Sequence, residues 1–154
     1  MVAVTSGCVE VEPSVIVNET DAPVRVRYAL PFWTADVGTP PLCPLSGEQP
    51  EVKTNSGDLE LADGWIPAPG LEVDTEKCEA SFVLDPGVAT MIYRNGYCDD
   101  YKKHSDQGAA FRPTLEYLVI ESRGRVREWR EWEAVAQFKR AWFSDWCYLR
   151  VRES

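Results

Sequence analysis

The clearest pattern of apolar and polar positions runs from Glu79 to Tyr101, EASFVLD-PG-VATMIYR-NG-YCDDY. It contains three runs of strand-like composition separated by turn residues. Val88, Thr90 and Ile92 alternate with Ala89, Met91 and Tyr93, a period of two that lets a strand bury one face, or both in a central position. Asp85-Pro86-Gly87 supplies a fixed φ at proline and a free one at glycine. Asn95-Gly96 is the pair that accepts positive φ at both centres of a type I′ turn. The spacing predicts an antiparallel meander over 79–101.

The same period recurs elsewhere. Val9-Val11 and Val15-Val17 alternate with polar neighbours, and Asn18 to Pro23 reads as a turn. In Val24 to Leu30, Val24, Val26 and Tyr28 share one face while Arg25 and Arg27 take the other, a half-buried antiparallel pattern. Asn18-Glu19-Thr20 is also a glycosylation sequon, though a plain turn is the favoured reading. Pro31 to Gly57 is proline-rich and reads as loop. Asp58-Leu59-Glu60-Leu61 is a short strand candidate, and Trp65 to Gly70 a second loop. Leu115 to Glu121 is a strand, turning at Ser122-Arg123-Gly124 into an extension at Arg125-Val126-Arg127. From Trp129 to Trp142 the pattern fits both periods, and the length and alanine content predict one helix. Cys147, Leu149 and Val151 then face one way on a closing core strand.

The expectation from these elements is a mainly β chain of seven or eight strands, a single domain over 9–154 after a short segment at 1–8. Its length of 154 residues suffices to bury about 70% of the extended chain's surface. No apolar run reaches the ~18 residues that span a bilayer. The net charge is −9, and such an acidic surface repels phosphate backbones, so nucleic acid is not an expected partner.

The five cysteines, Cys8, Cys43, Cys78, Cys98 and Cys147, contain no C-x-x-C and are too dispersed for a metal knuckle. That usage implies an oxidising compartment, two disulfides and one cysteine left over. Three pairings of the inner four are open. In a meander, Cys78 and Cys98 would sit two strands apart, about 9.5 Å and beyond disulfide reach. That favours Cys43–Cys78 with Cys98–Cys147.

Two resemblances sharpen the reading. Val4-Thr5-Ser6-Gly7-Cys8 resembles the end of a bacterial lipoprotein signal, which implies export, acylation of Cys8 and a periplasmic or outer-membrane location; otherwise the chain is secreted. The competing account leaves Cys8 a free or bridged thiol at a frayed terminus. VNET-x-x-PVRVRY resembles the opening hairpin of immunoglobulin-like sandwiches, which implies an immunoglobulin-like antiparallel β-sandwich; with the late helix and two disulfides read above, that is the expected fold.

Candidate chemistry is sparse. His104 is the sole histidine. With Asp99, Asp100 and Asp106 it forms a weak metal candidate whose spacing fits no calcium loop; a solvated loop explains the same residues. Nothing marks any carboxylate pair as catalytic, and no G-x-S-x-G or phosphate loop occurs. No cofactor is expected. The six tryptophans are more informative. Exposed indoles anchor protein partners or stack on sugars. Trp132, Trp142 and Trp146 are expected in the core, and Trp65, Trp129 and Trp33 as the partner surface. The sequence therefore points to a non-catalytic exported domain that contacts a protein or envelope component, touching membrane only through a lipid anchor. A carbohydrate-binding module is the first alternative and a small metal-dependent hydrolase around His104 the second.

Overall fold

The computed structural model describes residues 13–34, 37–93 and 113–153. Its strands in chain order are β1 (Ser14–Asn18), β2 (Val24–Ala29), β3 (Glu51–Thr54), β4 (Ile66–Pro67), β5 (Glu72–Asp74), β6 (Glu79–Leu84), β7 (Val88–Tyr93), β8 (Tyr117–Ser122), β9 (Arg125–Arg130), β10 (Lys139–Arg140) and β11 (Cys147–Val151), with one short helix, α1 (Glu131–Val135). They form two sheets, ordered β10-β11-β1-β7-β3-β4 and β5-β6-β2-β8-β9. Pairing is antiparallel except between β1 and β11, which run parallel with Ser14 opposite Cys147.

One core fills the space between the sheets. The second sheet contributes Val24, Val26, Tyr28, Phe82, Leu118 and Ile120, the first Ile16, Val52, Ile92 and Val151. β2 follows its alternation: Val24, Val26 and Tyr28 are fully buried while Arg25 is exposed. β1 departs from alternation because it is buried on both faces. Ile16 joins the main core, whereas Val15 and Val17 pack outward with Leu59, Met91 and Tyr148 beneath Trp65 and Trp146. The cover over this outer face is the 55–65 loop, clamped by the Lys53 ammonium, which donates to the Asp58 and Leu61 carbonyls at 2.8 and 3.2 Å. Asp58–Leu61, expected as a strand, is thus a turn whose one apolar contribution is Leu59.

Three further expectations are corrected. β6 and β7 do not pair with each other: β6 pairs with β2 and β5, β7 with β1 and β3. The Asp85-Pro86-Gly87 turn therefore carries the chain from one sheet to the other. The meander fails because a tight turn fixes a reversal of direction without fixing which neighbour supplies the hydrogen bonds. β1 and β2 likewise lie in different sheets, so the opening hairpin is a cross-sheet connection. Trp129 to Trp142 is not one helix. Trp129 is strand, opposite Leu118, and only Glu131–Val135 is helical, entered through a positive φ of 48° at Glu131. Asn95-Gly96 and Val9-Val11 lie outside the described residues.

By contrast, Ser122-Arg123-Gly124 turns as expected. Arg123 and Gly124 have φ of 52° and 78°, the two positive values of a two-residue hairpin loop, and close β8 onto β9. Among the described residues, the Pro31–Gly57 stretch is loop except for β3, one 3-10 turn at Pro44–Ser46 and an isolated antiparallel bridge between Trp33 and Leu42. The Cys43–Cys78 disulfide is present. Cys147 is also disulfide-bonded, with its partner outside the described residues.

Candidate functional site

The strand directions give the sandwich two unlike ends. At one, here the far end, lie the turns after β1, β6 and β8 and the last residue of β11. This end is polar and ion-paired. Glu19 accepts from Arg150 and Arg152 at 2.7 and 2.8 Å. The hydrogen bond from Arg152, reinforced by Arg150, outweighs burial and holds the Glu19 carboxyl below its usual range. Arg123 pairs with Asp21 and Glu153. A hollow of about 190 Å³ lined by Arg123, Arg125, Arg127 and Arg152 sits here. Carboxylates already match Arg123 and Arg152, and Arg127 stacks on the Trp129 ring.

Asn18 organises this end. It is fully buried and donates from its amide to the Ala22 and Leu84 carbonyls, both at 2.9 Å. Its oxygen accepts from the Thr20 backbone and hydroxyl. A glycan on that nitrogen has no room in the fold, so the sequon is a structural turn.

The other end, where β1 and β11 begin and β2 and β7 finish, is apolar. Of ten large apolar side chains exposed among the described residues, six sit there: Phe32, Trp33, Val37, Leu42, Trp142 and Phe143. Trp33 and Leu42 exchange backbone hydrogen bonds at 2.9 and 2.7 Å, so both project from a short ladder beyond β2. That ladder is fastened twice: Leu42 precedes the Cys43–Cys78 bridge, and Leu30 donates to the Cys78 carbonyl at 2.9 Å. Phe32, Trp33, Leu42, Pro44, Tyr93 and Pro113 line a groove of about 560 Å³. Glu48 lies on its rim, and burial together with that carboxylate pushes the Tyr93 phenol up.

The second apolar feature is the loop joining β10 to β11. Trp142 and Phe143 stand 87% and 86% exposed at its tip. Their rings meet edge to face at 67°, with centroids 4.0 Å apart, so they make no flat platform for a sugar ring. The loop is braced. Ala141 N–H donates to Trp146 O, Ser144 N–H to Ala141 O, and Trp146 N–H to the Ser144 hydroxyl. Trp146 in turn packs on Trp65, ring centroids 6.2 Å apart.

The expected aromatic surface is thus rearranged. Trp33 is exposed where expected. Trp65 is half-buried between Trp146 and Lys53, and Trp129 is half-buried against the main core beside Arg127. Trp142, expected in the core, is the most exposed tryptophan among the described residues. The aromatic residues that sequence reasoning missed are Phe32 and Phe143; the adjacency Trp142-Phe143 between two short polar stretches was the available signal. Tyr148, facing the covered side, donates to Glu60 at 3.2 Å; burial and that carboxylate push its phenol up to about 12. Cys8, Cys98, Asp99, Asp100, His104 and Asp106 lie outside the described residues, and no group of metal-ligating side chains occurs among the described ones. No helix among them is long and apolar enough to cross a membrane. Comparison with protein families, with curated proteins and with solved structures finds no match in any of the three.

Proposed function

We propose that this chain is a non-catalytic exported binding domain, lipid-anchored at Cys8, that contacts a protein or envelope component through its apolar end. The observation that carries the reading is the unequal distribution of exposed apolar side chains, gathered at one end of the sandwich while the other is ion-paired. Contiguous exposed apolar surface on a folded chain marks an interaction site. The groove beside Trp33 is suited to anchoring because its walls are held by a disulfide and a backbone ladder, so little order is lost on binding. Export is supported by the Cys43–Cys78 bridge and the bonded Cys147 in a chain of five cysteines. An immunoglobulin-like classification is supported by two packed, mainly antiparallel sheets with cross-sheet connections.

The test is site-specific photocrosslinking in cells that make the protein, with benzoylphenylalanine at position 33 and, as a control on the outer sheet face, at Val83. The expected result is a discrete adduct from position 33 and none from 83. Equal, diffuse labelling from both positions would contradict the reading.

A further inference from the structure

The direction of the chain at its first described residues places the apolar end relative to an anchor. Pro13 enters β1 at that end, and its carbonyl accepts from the Cys147 N–H at 2.9 Å. Cys8 precedes Pro13 by five residues, so an acyl group there is attached within about 18 Å of Pro13 even at full extension. Trp142 precedes Cys147 by the same five residues. A lipid on Cys8 and the Trp142–Phe143 tip are therefore tied to one short stretch of paired backbone.

We infer that the 141–146 loop is a membrane-contact element, with Trp142 and Phe143 seated in the headgroup interface of the bilayer that holds the Cys8 lipid. This rests on the anchored reading above and adds a second attachment to it. The chemistry favours lipid as the occupant. Tryptophan and phenylalanine are the side chains that partition to the boundary between acyl chains and water. A protein pocket would have to enclose two rings set at 67° on a projecting tip, whereas a fluid interface accepts any ring geometry. Lys139, exposed behind the tip, supplies a flexible cation that can reach headgroup phosphates, with Asp145 the one exposed acid in the loop itself. One acyl chain holds a protein only marginally, so an aromatic loop at the same end supplies a second signal. The hydrogen bonds that brace the loop keep both rings presented without prior ordering.

The experiment uses the full chain produced without lipid and vesicles of phosphatidylcholine, with and without phosphatidylglycerol, some carrying brominated acyl chains. The expected result is partition to vesicles with quenching of tryptophan emission. Partition should fall about tenfold for each ring removed in Trp142→Ala and Phe143→Ala, each tenfold being about 1.4 kcal/mol. Both residues are exposed, so the variants fold; matching melting curves check this, and Val83→Ser is the control. Vesicle binding that is absent in the wild-type chain, or unchanged in the two variants, overturns the inference. Fatty-acid labelling in cells, wild type against Cys8→Ser, scores the anchor separately. Loss of label dependence on Cys8 removes the anchor while the vesicle result still decides the loop.

Discussion

Replacing Asn18 by alanine removes an amide that donates to Ala22 and Leu84 and accepts twice from Thr20, in a site without solvent exposure. The Leu84 carbonyl and the Thr20 N–H lose a buried partner, while the Thr20 hydroxyl keeps its bond to the Ala22 carbonyl, a cost of about 2 kcal/mol. Asn18→Ala is expected to lower the urea midpoint accordingly without changing the slope; a shift no larger than that of an exposed control such as Asp85→Ala would be contrary. The sequence reads the same residue as a turn or a sequon, because an Asn-x-Thr triplet records neither burial nor partner. The tryptophans have the same difficulty. Trp33 follows a strand and precedes prolines, and its exposure was legible. Trp65 and Trp129 are half-buried because a loop and a ladder fold them onto apolar neighbours distant in sequence.

Among the elements, strands with alternation fixed by charge were readable: Arg25 and Arg27 decide which face of β2 meets water, and Arg123-Gly124 decides how β8 turns into β9. Pairing was not, since β6 and β7 are consecutive yet belong to different sheets. The late helix was overextended because Trp132, Val135 and Phe138 keep a helical spacing while the chain is helical only to Val135. Closure of the first connection onto the last strand is a matter of Glu19, which joins the turn after β1 to Arg150 and Arg152. Its carboxyl is held below the usual 4.5 in the folded chain, so its contribution is present above that pH and lost as pH falls through the folded-state value. Glu19→Gln is expected to cost about 1 kcal/mol at neutral pH, with wild type and variant converging in acid. A difference that persists undiminished in acid would assign the effect to packing.

At the scale of the molecule, the apolar end is assembled from residues near 13, 32, 42, 93, 113 and 142, no two of these segments adjacent in the chain. Apart from the Trp142-Phe143 adjacency no local pattern announces it, which is why the sandwich class was legible and the position of the site was not. The net charge of −9 gave no hint of it either, since the polarity that matters runs along the strands and a total charge carries no position. What the sequence did carry was its sulfur: Cys43–Cys78 is the pairing expected, and Cys147 is bonded. Because Cys43 and Cys78 bond each other, the identity of the Cys147 partner decides whether Cys8 is available for a lipid. The decisive measurement is peptide mapping by mass spectrometry, without reduction, of the chain isolated from the envelope of cells that make it. The expected result is Cys98 linked to Cys147, with Cys8 outside any disulfide and carrying an acyl mass. A Cys8–Cys147 link, or inner cysteines recovered as free thiols, would contradict the anchored, exported account.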